Sequence, residues 1–346
     1  MKHLQIDWLQ FFCAVVNPSN CQRLAFKLTE NQTKVFRSIG EYWLGDKLVA
    51  TLAFQPKSSI IVQNGGLLKI SNEVLYSCEL QDIVLELFGG ECLQAISVSR
   101  IDVALDLEVF DNDMKPCNLI RGFAREKYLH KGRAKFKLEG ATGLQNNYHY
   151  LRFGKNSADI SVYLYNKSKE LREAKDKSYI RELWKDLNIG NNCDVWRLEV
   201  SVKGTSKKFI DCDTGEVLQF TVANVFDGGF LARVYKSIVS EYFAFVVNEN
   251  KRRKDRMKPL QLFKWEFDKY KISRVIGVRA TGRSERIFIK KMEQLNNELR
   301  GKLCFDDATM AMIQGDIISY FGLDKWAKGK GVSIAKKMAD KVKFEV

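Results

Sequence analysis

Two tyrosines stand two residues apart in the stretch Asp159-Ile160-Ser161-Val162-Tyr163-Leu164-Tyr165-Asn166-Lys167. In an extended strand, Tyr163 and Tyr165 share one face and Leu164 takes the other. A free phenol, with a pKa near 10, is neutral at pH 7. A cation such as Lys167 close by favours the phenolate, which is a competent nucleophile toward phosphorus. The plainer alternative is that both rings are strand residues that only pack.

Carboxylates recur with the same period. In Ser99-Arg100-Ile101-Asp102-Val103-Ala104-Leu105-Asp106-Leu107, the residues Asp102, Ala104 and Asp106 point one way and Ile101, Val103 and Leu105 the other. Two acids flanking a small residue leave space for a divalent ion. Trp196-Arg197-Leu198-Glu199-Val200 repeats the pattern, and Glu199 offers a third oxygen. Mg²⁺ or Mn²⁺ suits such oxygen donors and would orient a scissile phosphate. The alternatives are a merely solvated polar face for the two aspartates and a pair with Arg197 or a lysine for Glu199.

Strands must position these groups. Residues 1–65 are strand-rich, and Leu9–Val16 reads as a strand rather than a targeting segment. The spacing of Val74, Leu75, Leu80, Ile83, Val84 and Leu87 predicts one helix over 73–88, stopped by Gly89-Gly90. Strands are expected over 95–109, 147–153, 159–165 and 195–203. The middle two form a hairpin that turns through Gly154-Lys155-Asn156-Ser157. Helices are expected over 118–127, 167–187, within 221–248, and at 283–303 and 308–321.

Charge divides the chain. The net charge is +14, yet residues 251–346 carry 24 Lys+Arg against 12 Asp+Glu, which leaves only +2 for the first 250. An excess confined to one region points to a polyanionic partner. The run Lys251-Arg252-Arg253-Lys254 marks the expected boundary between a domain at 1–250 and a basic, mainly helical region at 251–346. Lys131 and Arg133, in a basic glycine-punctuated stretch, join Lys155, Lys167, Arg197 and that run as candidate phosphate contacts. The 8 cysteines show no metal spacing and are expected as buried free thiols in a reducing cytoplasm. No apolar run is long enough for a membrane span. No phosphate-binding glycine loop is present, so any unwinding falls to a partner. The 3 histidines form no His-x-His pair.

Three blocks taken together resemble the replication initiation factor family of rolling-circle plasmid initiators and related conjugative-element relaxases. They are Ser99–Asp106, Phe153–Ser157 leading to Tyr163–Glu170, and Trp196–Val200, with a weaker likeness at Ile6-Asp7-Trp8-Leu9. The likeness covers roughly residues 1–250. It implies an α+β fold, with an antiparallel β-sheet nicking domain, flanking helices and the helical C-terminal region. It also implies a nicking-closing enzyme acting at an origin of replication or transfer, leaving a 5′-phosphotyrosine and a free 3′-hydroxyl. By the same resemblance Tyr165 is the nucleophile, with Tyr163 ranked second, and Asp102, Asp106 and Glu199 hold the metal. A host helicase and a homodimer are the expected partners beside DNA. A DNA-binding initiator without cleavage, or a hydrolytic metal-dependent nuclease, stays open.

Overall fold

The computed structural model describes residues 3–16, 26–29, 33–57, 64–89, 92–132, 135–141, 147–155, 158–173, 177–191, 193–204, 207–251 and 253–274. The expected helices at 283–303 and 308–321, and with them Arg133 and Arg252, lie outside the described residues.

Alternating sequence builds a ten-stranded antiparallel sheet. Its strands are β1 (Leu4–Val15), β2 (Lys27–Thr29), β3 (Phe36–Leu44), β4 (Lys47–Pro56), β5 (Gly65–Ile70), β6 (Leu93–Leu107), β8 (Phe136–Ala141), β9 (Asn147–Phe153), β10 (Ile160–Asn166) and β11 (Trp196–Lys203). They run in the order β2-β3-β4-β5-β1-β6-β11-β10-β9-β8. The predicted strands over 95–109, 147–153, 159–165 and 195–203 are thus four adjacent members of one sheet, and the fold is α+β.

One sheet face is apolar. Ile101, Val103, Leu105, Leu198, Val200, Val162, Leu164, Leu151 and Phe153 are all buried on it. Burying side chains of this kind contributes roughly 1.5–3 kcal/mol each. Helix α6 (Gly228–Tyr242) packs on this face, and the Tyr235 hydroxyl donates to the Leu198 carbonyl at 2.7 Å. Asp227 caps the helix by accepting from the amides of Gly229 and Phe230. Helix α3 (Pro116–Ala124) packs against β9. A small sheet of β7 (Tyr128–His130), β14 (Phe245–Val247) and β15 (Pro259–Leu260) completes this layer, with the His130 ring stacked on Phe153 at 4.0 Å. A third sheet joins β12 (Lys207–Ile210), β13 (Val217–Leu218) and β16 (Lys271–Arg274).

The single helix predicted over 73–88 is instead α1 (Asn72–Leu75) and α2 (Leu80–Gly89). The Ser77 hydroxyl donates to the Val74 carbonyl at 2.9 Å, a local bond that competes with helix continuation. The break turns Tyr76 toward β1. The segment expected at 167–187 forms α4 (Lys167–Glu173) and α5 (Ser178–Asp186), which enclose a small second core of Leu171, Ile180, Trp184 and Val195. Strand pairing continues past residue 250, with β15 on β14 and β16 on β12. Cys13 and Cys92 are buried thiols, whereas Cys78, Cys193 and Cys212 are exposed, so burial does not hold for all the cysteines. Among the described residues, no helix is long and apolar enough to cross a membrane.

Candidate active site

Register brings the three motif strands together on the polar sheet face. Ala104 of β6 lies opposite Glu199 of β11, which lies opposite Tyr163 of β10. One row further along, Asp106, Arg197, Tyr165 and Tyr150 stand side by side across β6, β11, β10 and β9. Ala104 projects only a methyl group toward Glu199. The Tyr165 hydroxyl reaches across to Glu199 and donates to its Oε2 at 2.9 Å. This pair borders an open cleft of about 430 Å³, lined also by Glu139, His149, Tyr163, Lys169 and Glu170.

Arg197 organises the row behind the tyrosine. Its side chain is fully buried. Nε and Nη2 donate to the two oxygens of Asp106 at 2.6 and 2.7 Å, and Nη1 donates to Asp7 at 2.5 Å and to the Tyr76 hydroxyl at 2.9 Å. Trp184 Nε1 adds a bond to Asp106 at 2.8 Å. Asp7 arrives through a register shift in β1 between Ile6 and Trp8, the extra-residue device that re-aims a side chain. Burial alone would raise the Asp7 carboxyl, but Arg197 and Lys167 outweigh it and hold it below its ordinary value. Burial also opposes the charge on Arg197, and Asp106 and Asp7 overcome it.

This geometry bears on the expected metal site at Asp102, Asp106 and Glu199. Both Asp106 oxygens are taken by Arg197. Both Asp102 oxygens are taken by Arg100, whose Nε donates at 3.0 Å and whose Nη2 donates to the second oxygen. A bidentate guanidinium takes one lone pair of each carboxylate oxygen and fixes the orientation of the group. Of the three expected ligands only Glu199 is without an arginine, and among the described residues no three His, Cys, Asp or Glu side chains cluster closely enough to hold a metal. As arranged here, Asp102, Asp106 and Glu199 do not form one three-carboxylate cluster. Arg197, expected at phosphate, is likewise engaged inside the protein.

The role expected of Lys167 changes as well. Its buried ammonium lies 5.5 Å from the centre of the Tyr165 ring but donates to Glu170 at 2.8 Å. Glu170 also binds Lys177 at 2.5 Å. Burial, and then Arg197, push the Lys167 pKa down. Tyr165 is not acidified: burial, and then the Glu199 carboxylate, hold its phenol well above the ordinary value. The group poised to change protonation near neutrality is Glu199. Burial, followed by the negative charges of Asp7 and Asp102, pushes its pKa up to about 7. The resting arrangement is a neutral phenol donating to a carboxylate that titrates around pH 7.

Tyr163 occupies the cleft beside this pair, with the Arg152 guanidinium 5.7 Å from its ring centre. The other basic candidates stand apart. Lys155 is exposed in the hairpin turn beyond β9. Lys254 donates to the carbonyl of His130, which stacks on the apolar face, and Lys131 follows His130 in the chain. These residues are behind the sheet, on the side away from Tyr165. Lys251 pairs with Glu249 at 2.8 Å and Arg253 with Asp255 at 2.7 Å. Tyr76, Tyr150 and Trp184 are not singled out by the sequence, whereas Glu170 closes the block that carries Tyr165 and Lys167. Only the two-residue period of Tyr148 and Tyr150 could have signalled one of them.

No family model matches the chain, and no curated protein sequence does. Among solved structures, the chain is similar to one titled as a rolling circle replication initiator protein from Geobacillus stearothermophilus. The TM-score is 0.45 and the sequence identity 14%, over 75% of this chain and 94% of that one.

Proposed function

We propose that this chain cuts one strand of DNA by transesterification, with Tyr165 as nucleophile and Glu199 as its general base. The observation that carries this reading is the hydrogen bond from the Tyr165 hydroxyl to a half-buried carboxylate whose pKa lies near 7. A base is most effective when its pKa lies close to the working pH. A phenol that nearby cations do not acidify needs such a partner to become a nucleophile.

Tyr165 Oη forms a bond to phosphorus while its proton passes to Glu199. The bond from phosphorus to the 3′-oxygen breaks, and that oxygen takes a proton from water. The products are a 5′-phosphotyrosine and a free 3′-hydroxyl. The proton held on Glu199 serves the reverse step, in which a 3′-hydroxyl displaces the tyrosine. Asp7, Asp106 and Tyr76 hold Arg197, and this buried network fixes β11 so that Glu199 faces the phenol. Origin nicking for rolling-circle replication or conjugative transfer is the biological setting we propose, with a host helicase supplying the unwinding.

The test uses supercoiled DNA carrying the gene and its flanks, incubated with native protein or Tyr165→Phe, each with and without Mg²⁺ or Mn²⁺. A covalent protein–DNA adduct that forms with native protein and disappears with Tyr165→Phe supports the proposal. An adduct that survives Tyr165→Phe moves the nucleophile to Tyr163 or elsewhere. Cleavage that leaves no adduct means water is the nucleophile and refutes transesterification.

A further inference from the structure

We infer that Trp8, Lys69 and Arg100 form a landing site for single-stranded DNA on the polar sheet face, beside the Tyr165–Glu199 pair. The route assigned to the strand rests on the transesterase reading given above.

The site follows from register. Asp102 of β6 lies opposite Trp8 of β1 and Ser201 of β11. The next row places Lys69, Gln10, Arg100 and Lys203 side by side across β5, β1, β6 and β11. Same-face residues two apart on a strand are separated by roughly 7 Å. Trp8 is therefore one row from the row that carries Glu199, and the cations are two rows away. The Lys69 ammonium lies 3.8 Å from the Trp8 ring centre and the Arg100 guanidinium 4.2 Å from it. The three side chains are only partly buried.

The charges are unbalanced at this place. Arg100 has Asp102, but among the described residues Lys69 has no ion pair. Burial, and then the charge of Arg100, lower the Lys69 pKa. The fold thus holds two cations against one indole, an arrangement that a phosphodiester would relieve. Single strands are gripped by cations tracking the backbone and by aromatic rings that take the bases. A protein partner would not require an aromatic flanked by cations, whereas a nucleotide presents both an anion and a flat ring.

Binding is read separately from cleavage. The probe is a fluorescein-labelled oligothymidylate of about 20 nucleotides, long enough for site sizes of this kind. Its anisotropy is followed with native protein, Trp8→Leu, Lys69→Gln and Lys69→Arg across a salt series. The expected result is about tenfold weaker binding for Trp8→Leu, the scale of one lost stacking contact. Lys69→Gln should weaken binding and reduce the salt slope by about 0.7, the value for one lost contact to a single strand, while Lys69→Arg restores both. Equal urea midpoints exclude loss of fold, and Lys69→Gln carries the test if Trp8→Leu does not fold. Native affinity and salt slope in both Trp8→Leu and Lys69→Gln overturn the landing site. So does preference for duplex or RNA over the single strand. Intact binding in the variants together with a Tyr165-dependent adduct would remove this site and leave the transesterase reading standing. Weakened binding in the variants without any adduct would do the reverse.

Discussion

Glu199→Gln tests the central electrostatic claim without any substrate. The substitution keeps an oxygen for Tyr165 to donate to and removes only the titration. In the fold the carboxyl ionises at about 7, against an ordinary value of 4.5. Below pH 4.5 it is protonated in both folded and unfolded chains and costs nothing. Between 4.5 and about 7 the unfolded chain releases the proton while the fold retains it, so each pH unit lowers native stability by about 1.4 kcal/mol. Above about 7 the deficit is constant at about 3 kcal/mol. The variant lacks this loss, so its stability relative to native should rise by about 3 kcal/mol from pH 4.5 to 7.5 and then level off. Urea unfolding of both proteins at unit pH steps reads the difference. Most other carboxylates titrate alike in the two proteins and cancel, apart from Asp7 and Asp102, which feel the Glu199 charge directly. A stability difference that stays flat from pH 4.5 to 7.5 would show that Glu199 ionises near its ordinary value. It could not then be a base tuned to neutrality.

Nicking by the native protein should rise with pH through about 7 as Glu199 ionises, and a profile already level at pH 5.5 would remove Glu199 from the base role. Tyr165→Phe deletes a hydrogen bond that favours the ionised carboxylate, so the pH midpoint of the stability difference should move higher in that background, while overall stability changes by about 1 kcal/mol. Arg197→Met leaves Asp7 and Asp106 buried without their cation, and urea unfolding at pH 7.5 should show a loss of about 3–5 kcal/mol; a loss under 1 kcal/mol would mean water reaches this network. Gly154→Ala places a methyl 2.9 Å from the Ile160 carbonyl at a φ of +96°, and the same measurement should show a loss of about 1–3 kcal/mol.

The sheet was legible because its signal is short-range. Alternation around Asp102, Tyr165 and Glu199 assigns faces without knowledge of partners, and those residues do share one face. Which carboxylate keeps a free oxygen was not legible, because that depends on residues distant in sequence. Asp106 and Glu199 look equivalent as acids on adjacent strands. Arg197 separates them: a side chain on β11 shares its face with Glu199 but reaches across to Asp106, opposite it in register. Its other acidic partner, Asp7, comes from 190 positions away through an irregularity in β1 that no periodicity announces. Lys167 shows the same limit. Its nearness to Tyr165 follows from the strand, but its engagement follows from the helix turn that presents Glu170 three residues later. Once these cations are assigned to their own acids, Glu199 is left as the carboxylate that accepts from the phenol. In the proposed reading, a tuned base takes the part that the sequence assigned to a neighbouring cation.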